Sequence, residues 1–138
     1  MTSIINVNRG MIHSTPWRES QLLLSGHFMK PTIQFLVIAA GGACGALSRY
    51  YIAVAARAWQ NTNFPVGTFV ANITGCFLIG LLIGSGKDQQ HEGLRLGFGI
   101  GFLGSLTTFS TFSAETVSQL SSGNWKLAAI NTVANLTV

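Results

Sequence analysis

The chain has 138 residues, of which 48% are hydrophobic and 9% are charged, and its formal net charge is +4. That balance excludes an ordinary soluble domain, in which about 25% of residues are charged, and it predicts a single-domain, all-α membrane protein. Nucleic-acid binding is also disfavoured, because the eight basic residues are scattered singly between apolar runs rather than gathered on one face.

Residues 1–28 differ in composition from the rest of the chain. They mix polar and apolar residues, contain no apolar run long enough to cross a membrane, and lack the order of segments found in a signal peptide. We interpret them as a non-native or flexible N-terminal extension, followed by a transmembrane channel domain over residues 29–138. Met29 is then an alternative translation start.

The first predicted span covers residues 32–56 and is close to the ~20 residues that a bilayer core requires. Its run GGACGA at residues 41–46 places small residues at i, i+4 spacing, which allows another helix to approach closely. Arg49, near the end of this span, has two interpretations. It is either an interfacial arginine that snorkels to the membrane surface or a vestibule charge that attracts anions.

The second predicted span covers residues 64–86 and begins next to a proline, which the first turn of a helix tolerates. Asn72 lies about two turns into this span. A side-chain amide at that depth is costly unless it is paired. Asn72 therefore either hydrogen-bonds a neighbouring helix or serves a pore.

The third predicted span, residues 94–120, contains the most unusual stretch of the chain. Between Gly104 and Ser113, six of ten residues carry hydroxyl groups and two are phenylalanines at i, i+3 spacing. Clustered hydroxyls at membrane depth must face protein or a wet cavity. Because the glycines before this stretch are poor helix formers, we predict a break near the middle of the membrane. The alternative is an unbroken helix whose Ser and Thr side chains bond its own carbonyls.

The fourth predicted span begins at Trp125 and covers residues 125–138. Asn131 and Asn135 lie at i, i+4 spacing within it and therefore share one face. From Trp125 onward there is roughly 21 Å of helix at about 1.5 Å per residue, against a hydrocarbon core of ~30 Å. We therefore expect the fourth transmembrane helix to be truncated.

The two cysteines, Cys44 and Cys76, both fall in predicted spans. Neither lies near a histidine or an acidic residue at metal-ligand spacing, so the cysteines do not indicate a metal site. We predict that both are small buried side chains, and the sequence leaves a disulfide between them open.

The basic residues that flank the spans are nearly balanced between the two sides of the membrane. One side carries Lys30, Lys87 and Arg95. The other side carries Arg57 and Lys126, together with Arg49 if that residue snorkels. Because an excess of Lys and Arg sets the orientation of a membrane protein, a chain that starts at Met29 has little reason to insert one way only. Arg9 and Arg18 tilt this balance if they are present.

Three motifs resemble those of the CrcB/Fluc fluoride channels and occur in the same order as in that family. They are GGACGALSRY at residues 41–50, PVGTFVANITG at residues 65–75 and GFLGSLTTFSTFSAE at residues 101–115. The run TTFSTFS within the third motif is far more specific than any single glycine motif. The resemblance covers about residues 32–138.

This resemblance implies a small channel of four transmembrane helices, the third of them broken, in the bacterial plasma (inner) membrane. The channel is expected to insert in both orientations and to form an antiparallel homodimer that exports fluoride passively from the cytosol. In that family, main-chain carbonyls at the break bind a structural Na⁺ ion at the dimer centre, and the matching positions are Gly104 and Thr107. The implied partners are fluoride, the lipid bilayer and a second copy of the chain.

The resemblance also implies roles for individual side chains. Phe109 and Phe112 are expected to line the pore through their ring edges, which are electropositive and can face an anion. Amide and hydroxyl donors are expected to replace the water that fluoride loses on entry. The matching residues are Asn72 on the second helix, Ser110 and Thr111 beside the phenylalanines, Asn131 and Asn135 on the fourth helix, and Arg49 in the vestibule.

Two other functions are possible on the sequence alone. A small proton-coupled multidrug or cation exporter also has four spans and needs a carboxylate within the membrane, and the only acidic residue inside a predicted span is Glu115. An intramembrane serine hydrolase needs a base to activate its nucleophile, and all three histidines lie outside the predicted spans. We therefore expect a protein that is not an enzyme.

Overall fold

The computed structural model describes residues 29–59 and 63–137. Within these residues the chain is helical apart from short connections and contains no β-strand. The extension predicted for residues 1–28 and the last residue of the fourth predicted span lie outside the described part. The helices are α1 (Pro31–Trp59), α2 (Val66–Gly84), α3 (Lys87–Gln90), α4 (Leu94–Leu103), α5 (Gly104–Leu106), α6 (Phe109–Ser121) and α7 (Trp125–Leu136).

Helices occupy all four apolar segments that the sequence predicts as spans. α1 and α2 are long and apolar enough to cross a membrane over Pro31–Ala58 and Val66–Gly84. The third segment is divided among α4, α5 and α6, and the fourth contains α7, whose 12 residues correspond to about 18 Å of helix. Among the described residues, two candidate membrane spans are thus formed by single helices.

Glycines bring α1 and α4 together, backbone against backbone. A methyl group added to Gly41 would collide with the main-chain carbonyl of Gly97, and one added to Gly45 would collide with that of Phe102. On α4, a methyl group added to Gly101 would lie 3.1 Å from the Cα atom of Gly41 on α1. This close approach is the one that the small residues at i, i+4 spacing predict. The contact with α4 is the most extensive that α1 makes in the described chain.

α4 has the wide turns of a π-helix over its ten residues. Gly97, Gly99 and Gly101 lie within it, and glycine is a poor α-helix former. Regular α-helical geometry returns for three residues at Gly104 and ends at Leu106. The first half of the third apolar segment is therefore not a regular α-helix, as its glycine content predicts.

α6 and α7 form a helical hairpin that packs beside α2. The turn between them contains Gly123, whose φ of 75° lies in the left-handed region that favours glycine. This turn occupies the Ser-Ser-Gly-Asn segment that separates the third and fourth predicted spans. The hairpin places the polar face of α7, with Asn131 and Asn135, against the other helices.

Most large apolar side chains point away from the centre of the chain. Phe35, Phe77 and Trp125 are 72%, 67% and 69% exposed. An apolar surface of this extent suits contact with lipid or with a second protein surface rather than with water. The buried apolar side chains form a small set: Ala71, Leu82, Leu96, Leu103, Leu106, Phe112 and Ala128.

The prediction that both cysteines are buried is wrong. Cys44 and Cys76 are exposed, and both are free thiols. The reason is that neighbouring glycines occupy the faces of α1 and α2 that pack inward. Gly45 contacts α4, and Gly75 contacts the side chain of Thr107.

We expect Gly45→Ala to destabilise the protein by about 1–3 kcal/mol, because the added methyl group meets backbone atoms that cannot move aside easily. The matched control is Gly84→Ala, since a methyl group on Gly84 meets nothing within 4 Å. Both variants are compared with the original protein by unfolding in mixed detergent micelles with increasing SDS. Equal stability of the two variants would contradict the close contact between α1 and α4.

Candidate functional site

The third apolar segment is interrupted at Thr107 and Thr108. α5 ends at Leu106, the two threonines have extended backbone angles (φ −76°, ψ 152° and φ −152°, ψ 112°), and α6 begins at Phe109. Thr108 caps α6, because its Oγ1 accepts a hydrogen bond of 3.2 Å from the main-chain N–H of Thr111. The break that the sequence predicts is present, and the alternative of an unbroken helix is wrong.

The break leaves main-chain carbonyls without their helical donors. In a continuous α-helix the N–H of Thr108 donates to Gly104, and the N–H of Thr111 donates to Thr107. Here the N–H of Thr108 donates to Oδ1 of Asn72 at 2.8 Å, and the N–H of Thr111 donates to the Thr108 side chain at 3.2 Å. Carbonyls at the C-terminal end of a helix carry partial negative charge. The main-chain carbonyl oxygens of Gly104 and Thr107 are therefore chemically suited to bind a cation.

Gly104 and Thr107 also line one cleft beside α2. A methyl group on Gly75 of α2 would collide with the side chain of Thr107, so the two segments are in close contact there. Gly104 itself is exposed. The two residues predicted to bind Na⁺ thus lie at a surface of the chain. The cleft has a volume of ≈ 240 Å³, and its other lining residues are Gly75, Cys76, Ile79, Gly99 and Leu103.

Asn72 holds the break through both ends of its side-chain amide. Its Oδ1 accepts the hydrogen bond from the N–H of Thr108 at 2.8 Å, and its Nδ2 donates to the carbonyl of the same residue at 3.4 Å. Nδ2 also donates to Oδ1 of Asn135 at 2.8 Å. Asn72 is therefore paired with neighbouring segments in this structure. Its role in a pore stays a prediction.

Arg49 lines a second cleft together with hydroxyl groups of the break. The cleft has a volume of ≈ 240 Å³. Arg49 of α1 and Thr108 and Thr111 of the break line this cleft together, and the vestibule role of Arg49 stays a prediction. The remaining lining residues are Ala46, Tyr50, Ala53, Gly67 and Thr68.

The two phenylalanines of the motif differ in exposure. Phe112 is buried, with 6% of its surface exposed, whereas Phe109 is 72% exposed. Their ring centroids are 5.4 Å apart and the ring planes are inclined by 59°. Ser110 and Thr111, between them in sequence, are both exposed. Phe109 and the two hydroxyl residues thus lie on the surface of the chain.

Thr68 belongs to the site although the sequence did not single it out. It is 6% exposed and donates a hydrogen bond of 2.7 Å from Oγ1 to Oε1 of Glu115. It lies four residues before Asn72, hence on the same face of α2. That spacing is the signal that could have identified it.

Asn131 and Asn135 project into the chain rather than away from it. Asn131 has no exposed surface, and its Nδ2 donates to Oγ1 of Thr116 at 2.9 Å. Nδ2 of Asn135 donates to Oδ1 of Asn131 at 2.9 Å and to its main-chain carbonyl at 3.0 Å. The structure therefore joins Asn72, Asn131 and Asn135 in one network. Sequence reasoning missed Thr116, a member of this network.

Comparison with known proteins adds independent information. Residues 36–138 match the family model described as CrcB-like protein, Camphor Resistance (CrcB). The chain is 40% identical over 104 residues to a protein of Shewanella sp. (strain ANA-3) named Fluoride-specific ion channel FluC, a match that covers 75% of this chain and 84% of the relative. A protein of the same name from Solibacter usitatus (strain Ellin6076) is 37% identical over 108 residues, covering 77% of this chain and 88% of the relative.

Proposed function

The chain belongs to the CrcB family, and from that membership we propose that it is a fluoride-selective ion channel through which fluoride leaves the cytosol down its electrochemical gradient. Relatives at 40% and 37% identity are named fluoride-specific ion channels. The observation in this chain that carries the proposal is the cleft in which Arg49 meets the hydroxyl groups of the helix break. Passive export of this kind lowers the fluoride concentration inside the cell.

The hydroxyl cluster at the break supplies the hydrogen bonds that fluoride needs when it sheds water. Oγ1 of Thr108 lies 3.2 Å from Oγ of Ser110 and 3.0 Å from Oγ1 of Thr111. Each hydroxyl can rotate to donate to an anion. Neutral donors also bind less tightly than a buried full charge, and conduction requires sites that are weak enough to leave. Ser110 and Thr111 are therefore assigned to the pore.

Phe109 and Phe112 are assigned to the pore wall, where their ring edges face the anion. The edge of an aromatic ring carries positive charge density, whereas its face would repel an anion. The inclined arrangement of the two rings, with centroids 5.4 Å apart, is compatible with edges that point in different directions. Arg49, in the cleft that it lines together with Thr108 and Thr111, raises the local concentration of anions.

A second, antiparallel copy of the chain is assigned as the partner. Phe109 is 72% exposed on the single chain, so one chain alone does not enclose a pore around it. The flanking basic residues are nearly balanced, which favours insertion of the four-helix protein in both orientations. The assembly is placed in the bacterial inner membrane, where the exposed apolar side chains contact lipid or the partner copy.

A structural Na⁺ ion is assigned to the main-chain carbonyls of Gly104 and Thr107. These carbonyls have lost their helical donors to Asn72 and to the Thr108 side chain. Carbonyl oxygens at unwound helix ends are suitable Na⁺ ligands in membrane proteins. Two carbonyls are too few for a complete shell, which agrees with a site at the centre of a homodimer.

The alternative functions are not favoured. The relatives are named ion channels, so the protein is not an enzyme and the proton-coupled exporter has no support from them. Within the chain, the carboxylate of Glu115 accepts a hydrogen bond of 2.7 Å from Thr68. Its other oxygen, Oε2, is buried without a hydrogen-bond partner, and Glu115 lines a different cleft from the one that contains Arg49.

We expect purified protein in liposomes to release internal fluoride rapidly and to retain internal chloride. The physical reason is that the hydroxyl groups of Thr108, Ser110 and Thr111 lie close together and can replace the hydration water of a small anion. Efflux of each anion is followed with an ion-selective electrode after a K⁺ diffusion potential is set with valinomycin, and protein-free liposomes are the control. Equal efflux of the two anions would contradict fluoride selectivity.

Phe109→Ile and Phe112→Ile are each expected to lower fluoride efflux about tenfold, the effect of losing an anion–edge contact worth about 1.4 kcal/mol. The matched control is Phe35→Ile, because Phe35 and Phe109 are both 72% exposed and only Phe109 lies beside the break. Efflux is measured in the same liposome assay at equal protein density. Unchanged efflux in both motif variants would remove these rings from the pore.

Replacing Na⁺ by N-methyl-D-glucamine at constant ionic strength is expected to lower the stability of the dimer. A cation bound only to the assembled protein stabilises it by about 2.7 kcal/mol at a hundredfold excess over its Kd. The measurement is the thermal midpoint in detergent, with dimer content checked by size-exclusion chromatography. Phe109→Ile, which leaves both carbonyls in place, should keep the Na⁺ response. Identical midpoints with and without Na⁺ would contradict the assigned site.

A further inference from the structure

A continuous line of side-chain hydrogen bonds runs from the helix break, through α7, and back to α6. Nδ2 of Asn72 donates to Oδ1 of Asn135 at 2.8 Å, and Nδ2 of Asn135 donates to Oδ1 of Asn131 at 2.9 Å. Nδ2 of Asn131 then donates to Oγ1 of Thr116 at 2.9 Å. Finally, Oγ1 of Thr116 donates to the main-chain carbonyl of Phe112 at 2.9 Å. Three helices are therefore joined by a single polar path.

Both ends of this path are main-chain groups that cannot reverse their role. At one end, the N–H of Thr108 can only donate, and it donates to Oδ1 of Asn72 at 2.8 Å. At the other end, the carbonyl of Phe112 can only accept. Each of the three amides between them has its oxygen on the Thr108 side of the path and its nitrogen on the Thr116 side. The orientation of all three amides is therefore determined, since reversing any one would set two donors or two acceptors against each other.

Because the amides are buried to different degrees, a reversed amide would cost free energy. Asn131 has no exposed surface and Asn135 is half-buried, so water does not replace a lost partner of Asn131. A buried amide group without a partner costs far more than a hydrogen bond contributes. Because none of its surface is exposed in the described chain, Asn131 has no surface from which to contact a permeating ion.

The path determines which hydrogen of Asn72 faces the break. Asn135 takes one Nδ2 hydrogen in a bond of 2.8 Å, and the other points to the carbonyl of Thr108 at 3.4 Å. The second distance is long for an N–H···O hydrogen bond. An anion at the break therefore competes with a weak internal bond and not with a strong one.

We propose that Asn135, Asn131 and Thr116 form a positioning relay that aims the Asn72 amide at the break, and that Asn131 and Thr116 do not contact the permeating ion. The effect that we infer on fluoride conduction rests on the proposed function as a fluoride channel. It assigns a role to Thr116 and replaces direct anion binding by Asn131 with an indirect role. The relay also orients the side chain that supports the extended conformation of Thr108.

Thr116→Val removes the hydroxyl and preserves the shape of the side chain. Fluoride efflux from liposomes is expected to fall about two- to tenfold, the range that one neutral hydrogen bond spans, while Thr116→Ser retains near-original efflux. The matched control is Thr132→Val on α7, because Oγ1 of Thr132 bonds only the carbonyl of Ala128 within its own helix, at 2.8 Å. Equal efflux in Thr116→Val and Thr132→Val would overturn the relay.

A double variant separates positioning from stability. Thr116→Val alone leaves Nδ2 of Asn131 buried without its partner, whereas Thr116→Val combined with Asn131→Leu removes both polar groups together. Asn131→Leu also removes the Oδ1 acceptor of Asn135, but Nδ2 of Asn135 keeps the main-chain carbonyl of residue 131 as an acceptor at 3.0 Å. The double variant is expected to unfold in SDS at nearly the same midpoint as the original protein and still to conduct poorly. Full recovery of efflux together with stability would show a purely structural role and overturn the proposal.

The orientation of Asn72 is also observed without any transport. In detergent micelles, the side-chain ¹⁵N–¹H resonances of Asn72 are expected to shift in Thr116→Val and to remain in place in Thr132→Val. Unchanged Asn72 resonances in Thr116→Val would overturn the relay even if the original protein conducts fluoride. Absence of fluoride efflux from the original protein would instead reject the proposed function, and the resonance shift would still support the relay.

Discussion

The candidate site depends above all on the need of main-chain N–H and C=O groups for hydrogen-bond partners at membrane depth, where water does not supply them. The chain gives up regular helical bonds at Thr107 and Thr108. The Asn72 amide and the Thr108 hydroxyl take over the displaced N–H groups. The carbonyls of Gly104 and Thr107 are left available to another ligand. The Thr108 cap, the pairing of Asn72 and the candidate cation ligands are thus consequences of one rearrangement.

Close packing of α1 against α4 places the break beside a positive charge. Gly41 and Gly45 have no side chains to hold α1 away from the carbonyls of α4. Arg49 follows Gly45 by four residues and therefore lies one turn further along the same face. The contact that the glycines permit is also the contact that brings Arg49 to the cleft lined by Thr108. A packing motif and an electrostatic feature therefore share one helix face.

Several polar side chains are buried in the described part of the chain, whereas many large apolar side chains are exposed. Asn131 is fully buried, while Phe35, Phe77 and Trp125 are mostly exposed. In a membrane this arrangement is favourable, because the exposed rings meet lipid or a partner and the amides satisfy one another. Phe109 is an exposed apolar side chain that lies beside the hydroxyl cluster.

The sequence by itself determined the features that depend on neighbouring residues. Apolar segment length indicated the helices, glycine content indicated the irregular α4, and the run from Gly104 to Ser113 indicated the break. Tertiary structure decided which groups satisfy the polar side chains, because the partners are distant in sequence: Asn72 is 36 residues from Thr108 and 63 from Asn135. It also decided that Cys44 is exposed and Thr116 is part of the network, since exposure depends on which helix face another helix covers. Local sequence specifies where a helix can form or end, whereas the orientation of a buried amide is set by donors and acceptors that only the folded chain brings together.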